Sequence, residues 1–455
     1  MKYWRKLAAI TLAFAIFLTA CGGSDAASSA AAEESAVQTQ SEAEPEGGDI
    51  SENKESEAET APAETTETAE ETESAENESA EAAETPAAEE AAATESGEGT
   101  NADLSEAPEL PGLTAESVLP LSYATCFNVF YYSDGYKLID VPSSAQYLLI
   151  PEGKEAPEGL DASIVQIQEP VDSIYLAATS AMALFDAIDS IDKVTMSGTS
   201  EGGWYIDAPN EALANGSMVY AGKYSEPDYE TMIAKECDLA IESTMILHTP
   251  EVQEMIEDIG IPVFIDRSAY ETGPLGRTEW VKLYGVMMEK DEEANAFFAD
   301  QQKLIDGLED FPNTGKTVAY FSVNTDGSVV VRTNNDYIPS MIDLAGGKYI
   351  FDGMFPGVTS STSAISMEQF YATAMGADYL VYNATIEEAL GSIADLVEKD
   401  EVFADFKAVE NGNVWQVDKK AYQSTDKLAN LILDFNIMVT DGDMSQLTFL
   451  TKLEQ

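Results

Sequence analysis

The segment that decides the fold is TPEVQEMIEDIGIPVFI, residues 249–265. Residues 249–259 are predicted to form a helix, because apolar residues recur at spacings of three and four and Pro250 stands where the first helical turn begins. Gly260 is typical of a helix end, and the apolar run 261–265 predicts a buried strand. A helix that leads directly into a buried strand indicates βαβ units and a mostly parallel sheet.

Predicted strands and helices alternate on both sides of this segment. Short apolar runs predict the strands, and apolar positions three and four residues apart predict the helices. The predicted strands are 173–176, 194–196, 239–241, 317–323, 328–332, 379–382 and 414–417, and the predicted helices are 180–188, 228–235, 338–344, 386–398 and one from 426.

A much longer apolar stripe lies between these two groups. From Trp280 to Leu308 the apolar residues fall mostly at steps of three and four, which predicts one helix of about 30 residues and about 45 Å. Gly285 and Gly307 weaken this helix near its ends, and Pro312 stops it. The predicted fold class is α/β, with two three-layer α/β lobes joined by one long helix.

Two further patterns concern the organisation of the chain. Apolar runs at 127–132 and 136–141 flank Ser133-Asp134-Gly135, which predicts a β-hairpin, and strands are also predicted at 147–150 and 164–168. In addition, Glu230 begins a helix that leads to Asp238 and a strand, and Glu368 begins one that leads to Asp378. This weak internal repeat suggests two related lobes.

Composition excludes several classes of function. The chain of 455 residues has 23 Lys+Arg against 83 Asp+Glu, a formal charge of −60, which argues against a general nucleic-acid binder. A single histidine argues against a histidine-rich metal site, and three cysteines cannot form a four-cysteine site. We therefore expect no metal site and no cofactor.

The first 110 residues indicate an export signal and a tether. Lys2, Arg5 and Lys6 precede an apolar run, 7–20, that is too short for a membrane span, and Leu18-Thr19-Ala20-Cys21 resembles a bacterial lipobox. That resemblance implies cleavage after residue 20 and lipidation of Cys21; a chance cysteine after an ordinary signal is the alternative. Residues 22–110 carry 27 acidic residues and one lysine among Ala, Ser and Thr, which predicts a disordered spacer.

The order of several segments resembles the substrate-binding proteins of ABC importers for iron–siderophore complexes, haem and cobalamin, over about residues 160–440. The segments that carry the resemblance are Pro227-Asp228-Tyr229-Glu230, Asp238-Leu239-Ala240-Ile241, 254–263, the long helix, Leu344-Ala345-Gly346-Gly347 and Ser366-Met367-Glu368. The resemblance implies a ligand cleft between the lobes and no catalytic residues.

We predict a signal peptide at 1–20, a lipidated acidic tether at 21–110, an N-terminal lobe with an extra hairpin region at 111–276, a connecting helix at 277–312 and a C-terminal lobe at 313–455.

The family also implies a role for two glutamates. Each lobe of such a protein presents an acidic residue to a basic residue of the permease, and the matching positions here are Glu230 and Glu368. Opposite charges of this kind steer docking and set its orientation. The alternative is that each carboxylate only favours the positive N-terminus of its helix.

Candidate ligand-binding residues lie in loops after strands or at helix starts, where a cleft wall is expected. Aromatic faces with a few arginine donors suit a large, flat or anionic chelate. Each residue alone fits packing or a solvated loop as well. The predicted set is Trp204, Tyr205, Tyr224, Met245, His248, Arg267, Tyr270, Arg332 and Tyr337.

Three questions stay open at this point. His248 beside Met245 could ligate haem iron, although a lone histidine is more often structural. Cys126 and Cys237 could form a disulfide outside the cell. Residues 111–455 have a net charge of −37, which repels highly anionic chelates unless Arg267, Arg277 and Arg332 focus a local positive field, so neutral chelates or a corrinoid stay open too.

The sequence therefore predicts a monomeric, lipid-anchored binding protein on the extracytoplasmic face of a bacterial membrane. It would capture a metal chelate, with an iron–siderophore complex preferred over haem or a corrinoid, and deliver it to an ABC permease whose ATPase subunits hydrolyse ATP. One alternative is a hydrolase that uses Ser200, because Gly198-Thr199-Ser200-Glu201-Gly202 matches the nucleophile-elbow pattern. The other alternative is a surface scaffold or adhesion lipoprotein.

Overall fold

The computed structural model describes residues 102–308, 311–385 and 387–455. The predicted signal peptide, Cys21 and the predicted tether up to residue 101 lie outside these residues. None of the described helices is long and apolar enough to cross a membrane. The strands are β1 Ala115–Val118, β2 Asn128–Tyr132, β3 Lys137–Asp140, β4 Gln146–Ile150, β5 Val165–Gln168, β6 Ile174–Leu176, β7 Val194–Ser197, β8 Val219–Tyr220, β9 Gly222–Lys223, β10 Glu226–Pro227, β11 Leu239–Ser243, β12 Val263–Asp266, β13 Thr317–Val323, β14 Val329–Arg332, β15 Lys348–Tyr349, β16 Thr362–Ile365, β17 Tyr379–Asn383, β18 Val414–Val417 and β19 Leu450–Lys452.

The α-helices connect these strands and cover the sheets. Several short 3₁₀ turns, such as the one at Thr244–His248, lie between them. The α-helices are α1 Thr179–Ala187, α2 Asp207–Asn215, α3 Tyr229–Ala234, α4 Pro250–Asp258, α5 Pro274–Met287, α6 Asp291–Ile305, α7 Tyr337–Leu344, α8 Met367–Ala374, α9 Ile393–Lys399, α10 Lys407–Glu410, α11 Lys420–Gln423 and α12 Leu428–Thr440.

Each lobe is built on its own sheet, as the alternation of strands and helices predicts. The sheet of the N-terminal lobe has the order β12-β11-β6-β7-β8, and all its pairs are parallel. The C-terminal sheet has the order β16-β14-β13-β17-β18-β19, with β15 beside β13; its centre is parallel, while β14, β16 and β19 pair antiparallel. The central strands β6 and β17 are buried throughout, which is typical of parallel strands covered by helices on both faces.

The weak internal repeat has a structural counterpart. Asp238 accepts hydrogen bonds from the backbone N–H groups of Asp172 and Ser173, at the start of β6 (3.0 Å each). Asp378 likewise accepts one from the backbone N–H of Thr317, at the start of β13 (2.9 Å). In both lobes an aspartate between a helix and its strand fixes the beginning of the neighbouring parallel strand.

The first part of the folded chain forms a separate sheet, which we call the N-terminal sheet. Its order is β1-β2-β3-β4-β5, and β2 and β3 form the predicted hairpin. Leu110, only 6% exposed, packs against one face of this sheet. The predicted tether, which extends to residue 110, is therefore already folded at its C-terminal end.

The predicted long helix is two helices, α5 and α6, separated by a corner at 288–290. Glu289 has a left-handed backbone (φ 56°), and the N–H of Lys290 donates to the carbonyl of Gly285 (2.7 Å), which is the Schellman way of ending a helix. A Cβ on Gly285 would stand 2.5 Å from Cβ of Ala294, so the close approach of α6 requires glycine there. The apolar stripe continues across the corner because both helices pack on the same core.

Two buried carboxylates attach the N-terminal sheet to α5. Glu279 accepts hydrogen bonds from the backbone N–H groups of Ser122, Tyr123 and Ala124 (2.7–3.0 Å). Glu271, in the loop before α5, accepts those of the next two residues, Thr125 and Cys126 (2.8–3.0 Å). Five consecutive N–H groups are thus bound by two side chains; we call this arrangement the carboxylate clamp.

Replacing Glu279 by alanine should strongly destabilise the protein. The change leaves three backbone N–H groups without their acceptor, and it leaves the ammonium of Lys282, which lies 2.7 Å from Glu279, without its counter-ion. We expect the free energy of unfolding in urea to fall by about 3–5 kcal/mol.

The matched control is Glu293→Ala. Glu293 also pairs with a lysine three residues away, at 3.0 Å, but its side chain is 47% exposed. The control should change the free energy of unfolding far less than Glu279→Ala, because water screens an exposed ion pair. Equal effects of the two substitutions would contradict the importance assigned to the clamp.

Candidate functional site

The two lobes meet at a junction formed by hydrogen bonds between their loops. The side chain of Gln423, at the end of α11, donates to the carbonyl of Gly203 (2.8 Å) and accepts from the N–H of Tyr205 (2.6 Å). The hydroxyl of Thr278, on α5, donates to the carbonyl of Thr425 (2.8 Å). These contacts connect the loop after β7 and the first turns of α5 to the C-terminal lobe.

Three arginine–tyrosine pairs lie in this structure, and one of them crosses the junction. The chain has four arginines, Arg5 and three in the described residues, and each of those three lies over a tyrosine ring. The distances from the guanidinium carbon to the ring centre are 4.2 Å for Arg267 on Tyr270, 4.0 Å for Arg277 on Tyr337 and 5.7 Å for Arg332 on Tyr320. Such pairs present a cation and an aromatic face together.

The second of these pairs crosses the junction. Arg277 stands in the first turn of α5, whereas Tyr337 begins α7 of the C-terminal lobe. Burial raises the pKa of Tyr337, and the positive charges of Arg277 and Arg332 oppose this rise, so both guanidinium groups are close to the same ring. In the same region the hydroxyl of Ser340 lies 3.4 Å from the carbonyl of Thr272.

Arg332 differs from the other two because its charge is compensated. Its guanidinium is 12% exposed and lies 3.5 Å from the carboxylate of Asp336. Burial alone would lower the pKa of Arg332, but Asp336 contributes to a net rise, so this arginine stays charged. Asp336 also caps α7 by accepting from the N–H of Ile338 (2.8 Å), which fixes the carboxylate in place.

Polar groups on two neighbouring strands extend this site. The hydroxyl of Tyr320, on β13, donates to the side-chain carbonyl of Asn383 at the end of β17 (2.9 Å). Sequence reasoning missed both residues, and it missed Gln423 as well. The available signal was positional, because Asn383 is the last residue of a central parallel strand, where ligands of open α/β sheets bind. Arg277 was recognised only as a source of positive charge.

Of the predicted aromatic site residues, Trp204 does not line the cleft. Its side chain is 3% exposed, and its indole N–H donates to the hydroxyl of Ser197 (3.2 Å) within the N-terminal lobe. The next residue, Tyr205, does lie at the lobe junction, where the Lys419 ammonium stands 5.7 Å from its ring centre. Tyr224 is half-buried and packs against the core on one side of the sheet of the N-terminal lobe.

Met245 and His248 lie in one 3₁₀ turn directly after β11. Met245 is half-buried, and His248 is exposed. The part of the chain that the structure describes contains no group of three or more His, Cys, Asp or Glu placed to hold a metal ion. The two residues stay a hypothesis as haem ligands.

The two folded cysteines are free thiols, so the disulfide considered from the sequence is not formed. Burial raises the pKa of both Cys126 and Cys237 to about 12. Neither thiol therefore carries significant thiolate near neutral pH, and neither fits a reactive cysteine.

The segment that matches the nucleophile elbow has another structure. An elbow needs a helix directly after its serine, whereas Ser200 is exposed in a turn and the next helix begins at Asp207. The sequence match is therefore not accompanied by the geometry that a serine nucleophile requires.

The two predicted docking glutamates occupy equivalent positions. Glu230 is the second residue of α3, which Asp228 caps by accepting from the N–H of Thr231 (3.0 Å). Glu368 is the second residue of α8, which Ser366 caps. Both carboxylates are exposed. A hydrogen bond from the Ser366 hydroxyl holds the pKa of Glu368 below its usual value.

Comparison with known proteins gives a family match over more than half of the chain. The model of the family described as "Periplasmic binding protein" matches residues 177–421. Two relatives from Methanocaldococcus jannaschii, both named uncharacterized lipoproteins, are 24% and 21% identical. The first match covers 65% of this chain and 75% of the relative, and the second covers 75% and 87%.

Solved structures with a similar fold include two binding proteins of Vibrio cholerae. A periplasmic haem-binding protein is 15% identical, with a TM-score of 0.47 over 57% of this chain and 97% of that chain. A periplasmic vitamin B12-binding protein is 17% identical, with a TM-score of 0.44 over 60% and 98%.

Replacing Gln423 by alanine should weaken the lobe junction. The change leaves the carbonyl of Gly203 and the N–H of Tyr205 without their partner at a position that is 3% exposed. We expect the free energy of unfolding in urea to fall by about 1–3 kcal/mol. The control is Gln446→Ala, because Gln446 is exposed and bonds only its neighbour Asp443 (3.1 Å). If the Gln423 variant were as stable as this control, the hydrogen bonds of Gln423 would not stabilise the lobe junction.

Proposed function

The chain belongs to the periplasmic binding protein family, and from this premise we propose that it is the receptor of an ABC importer for an anionic metal chelate. A ferric siderophore complex is the preferred cargo. The protein would be held on the extracytoplasmic face of the membrane by lipid on Cys21, as a monomer, and would pass its ligand to the permease. It would perform no reaction itself, because ATP hydrolysis belongs to the ATPase subunits.

The observation that carries this proposal is the placement of the three folded arginines. Residues 111–455 have a net charge of −37, so three arginines scattered over the surface among these acidic residues would form no positive region. Instead all three guanidinium groups lie on tyrosine rings, and two of them, those of Arg277 and Arg332, are close to Tyr337 at the lobe junction. Arginine in a fixed orientation suits the oxygen atoms of a chelate, and tyrosine faces suit its flat parts.

Charge also explains why a local arrangement matters. Long-range repulsion between the acidic domain and an anionic ligand is screened beyond about 8 Å at physiological ionic strength. Within that distance the nearest charged groups decide the sign of the potential. Arg277 has no partner among the ion pairs of the described residues, and it holds its place through the backbone carbonyls of Glu271 and Ala269. Its charge is therefore available to a ligand.

A ligand panel tests the proposal. The full chain, purified in detergent, would be titrated with a ferric tricatecholate, a ferric trihydroxamate, haemin and cyanocobalamin, with tryptophan fluorescence and melting temperature as readouts. A ligand at 100 times its Kd should stabilise the protein by about 2.7 kcal/mol. Saturable binding of a ferric chelate is the expected result. Binding of haemin or cyanocobalamin alone would change the cargo, and no binding at all would favour a scaffold lipoprotein.

Arg277→Gln should weaken binding of the ferric chelate by about tenfold or more, because charge-assisted hydrogen bonds are lost. The change also removes hydrogen bonds to the carbonyls of Glu271 and Ala269 and the contact with Tyr337, so the melting temperature without ligand should fall as well, and Kd is measured below the melting temperature of the variant. Lys303→Gln removes the same charge from an exposed position, 68% accessible, on α6 and is the matched control. Equal Kd values for the two variants would contradict a role for Arg277 in binding.

The docking role of the two glutamates calls for a transport measurement. The double variant Glu230→Lys, Glu368→Lys should keep the Kd for the ferric chelate but lose uptake by cells that express the permease, because opposite charges orient docking. We expect uptake of labelled iron to fall by about tenfold, a rough value for losing two such contacts.

A suitable control for the docking variant is Glu292→Lys. Glu292 is also the exposed second residue of a helix, α6, so its reversal imposes the same penalty at a helix N-terminus. Normal uptake by this control would assign the loss to docking. An equal loss in both variants would instead support the alternative that these glutamates only stabilise their helices.

A further inference from the structure

The N-terminal sheet, which lies entirely outside the matched family region, reaches Arg267 through one turn. This turn joins β3 to β4, and the N–H of Ser144 donates to the carbonyl of Val141 across it (3.0 Å). Pro142 and Ser143 are its central residues, and Ser143 has a left-handed backbone, φ 62°. These are the features of a type II turn, with proline first and a positive φ second.

The carbonyl of Ser143 accepts a hydrogen bond from the guanidinium of Arg267 (3.1 Å). Arg267 directly follows β12 of the N-terminal lobe, so the contact spans 124 residues of sequence. On its other side the guanidinium lies on the ring of Tyr270, which is 36% exposed. The turn and the ring therefore hold the side chain between them at an accessible surface.

The charge of Arg267 is left uncompensated in this arrangement. None of the ion pairs in the described ranges includes Arg267, whereas Arg332 has Asp336. A guanidinium carries five N–H donors, and the Ser143 carbonyl takes only one of them. A fixed cation with free donors beside an exposed aromatic ring is suited to an anionic, oxygen-rich group.

The carboxylate clamp determines where the turn lies. It fixes residues 122–126, which lead into β2, and Tyr147 of β4 accepts a hydrogen bond from the N–H of Ile265 on β12 (3.2 Å). Lys137 of β3 also donates to the carbonyl of Val286 near the end of α5 (3.3 Å). The N-terminal sheet is thus attached at three places, and the turn at 141–144 cannot move independently of Arg267.

We propose that the N-terminal sheet forms one wall of the ligand site, and that its Ser143 turn positions Arg267 as a residue that selects ligands bearing an anionic group. The proposal deepens the proposed function and rests on it. Ser143 acts as a positioning residue through its backbone carbonyl. Arg267 provides the contact with the ligand.

Two substitutions at residue 143 separate turn geometry from side-chain chemistry. Ser143→Val places a β-branched residue at a positive φ, which such residues rarely adopt, so the turn should be distorted. Ser143→Gly removes the same hydroxyl but accepts a positive φ without strain, and it is the matched control. Ser143 is exposed, so neither change affects the core.

The first readout does not depend on any ligand. Phenylglyoxal modifies accessible arginines, and mass spectrometry of the full chain would compare the labelling rate of Arg267 with that of Arg332, which is mostly buried. We expect this ratio to rise several-fold in Ser143→Val and to stay at the wild-type value in Ser143→Gly. Equal ratios in the two variants would overturn the positioning role.

The second readout is the ratio of the affinities for an anionic probe and for a neutral probe. Ser143→Val and Arg267→Gln should bind an anionic ferric tricatecholate about tenfold more weakly than wild type, while affinity for neutral cyanocobalamin or a neutral ferric trihydroxamate falls much less. Equal losses for charged and neutral probes would overturn the selective role. A wild-type chain that binds none of these probes would refute the proposed function and the selectivity with it, and the labelling ratio would still decide whether the turn holds Arg267.

Discussion

The binding of five consecutive backbone N–H groups by two buried carboxylates is the constraint on which the rest of this structure depends. A carboxylate without water is stable only when several donors surround it. Glu279 obtains them from residues 122–124 and from Lys282, and Glu271 obtains them from residues 125–126 and from the indole N–H of Trp280 (3.1 Å). Because these donors belong to the segment leading into β2, the N-terminal sheet and α5 have one fixed relation.

A single turn of α5 then connects three parts of the protein. Arg277 lies on Tyr337 of the C-terminal lobe, Thr278 donates to Thr425 of the same lobe, and Glu279 binds the N-terminal sheet. Trp280 follows, fully buried, with its ring 5.0 Å from that of Phe127. Four adjacent side chains on one helix can reach different partners because each residue advances about 100° around the axis. The proposed ligand site, the lobe junction and the clamp therefore share one rigid element.

The sequence predicted the fold well where periodicity carries the information. Alternating strands and helices, such as the segment from α4 through β12, follow from apolar spacing, and the family match agrees with the expected binding-protein fold. The break between α5 and α6 could not be predicted in this way, because the apolar stripe keeps its period on both sides of Glu289. The role of Glu279 in the clamp could not be predicted either, since nothing in the sequence distinguishes this glutamate from the other acidic residues, 83 in all. Arg267 and Arg332 were selected because they lie at the ends of predicted strands, whereas Trp204 resembled a cleft residue but packs inside its lobe.

The clamp also has a consequence for the order in which this protein acquires its structure. The donors at residues 122–126 and their acceptors at 271 and 279 are separated by 145 to 157 residues. A contact over such a distance forms late, because a long loop must close before the interaction contributes. A chain that is made from its N-terminus would therefore present strands β1 to β5 well before α5 exists. During that interval five adjacent N–H groups are open to water or to a chaperone, and the appearance of α5 becomes the event that allows this sheet to attach.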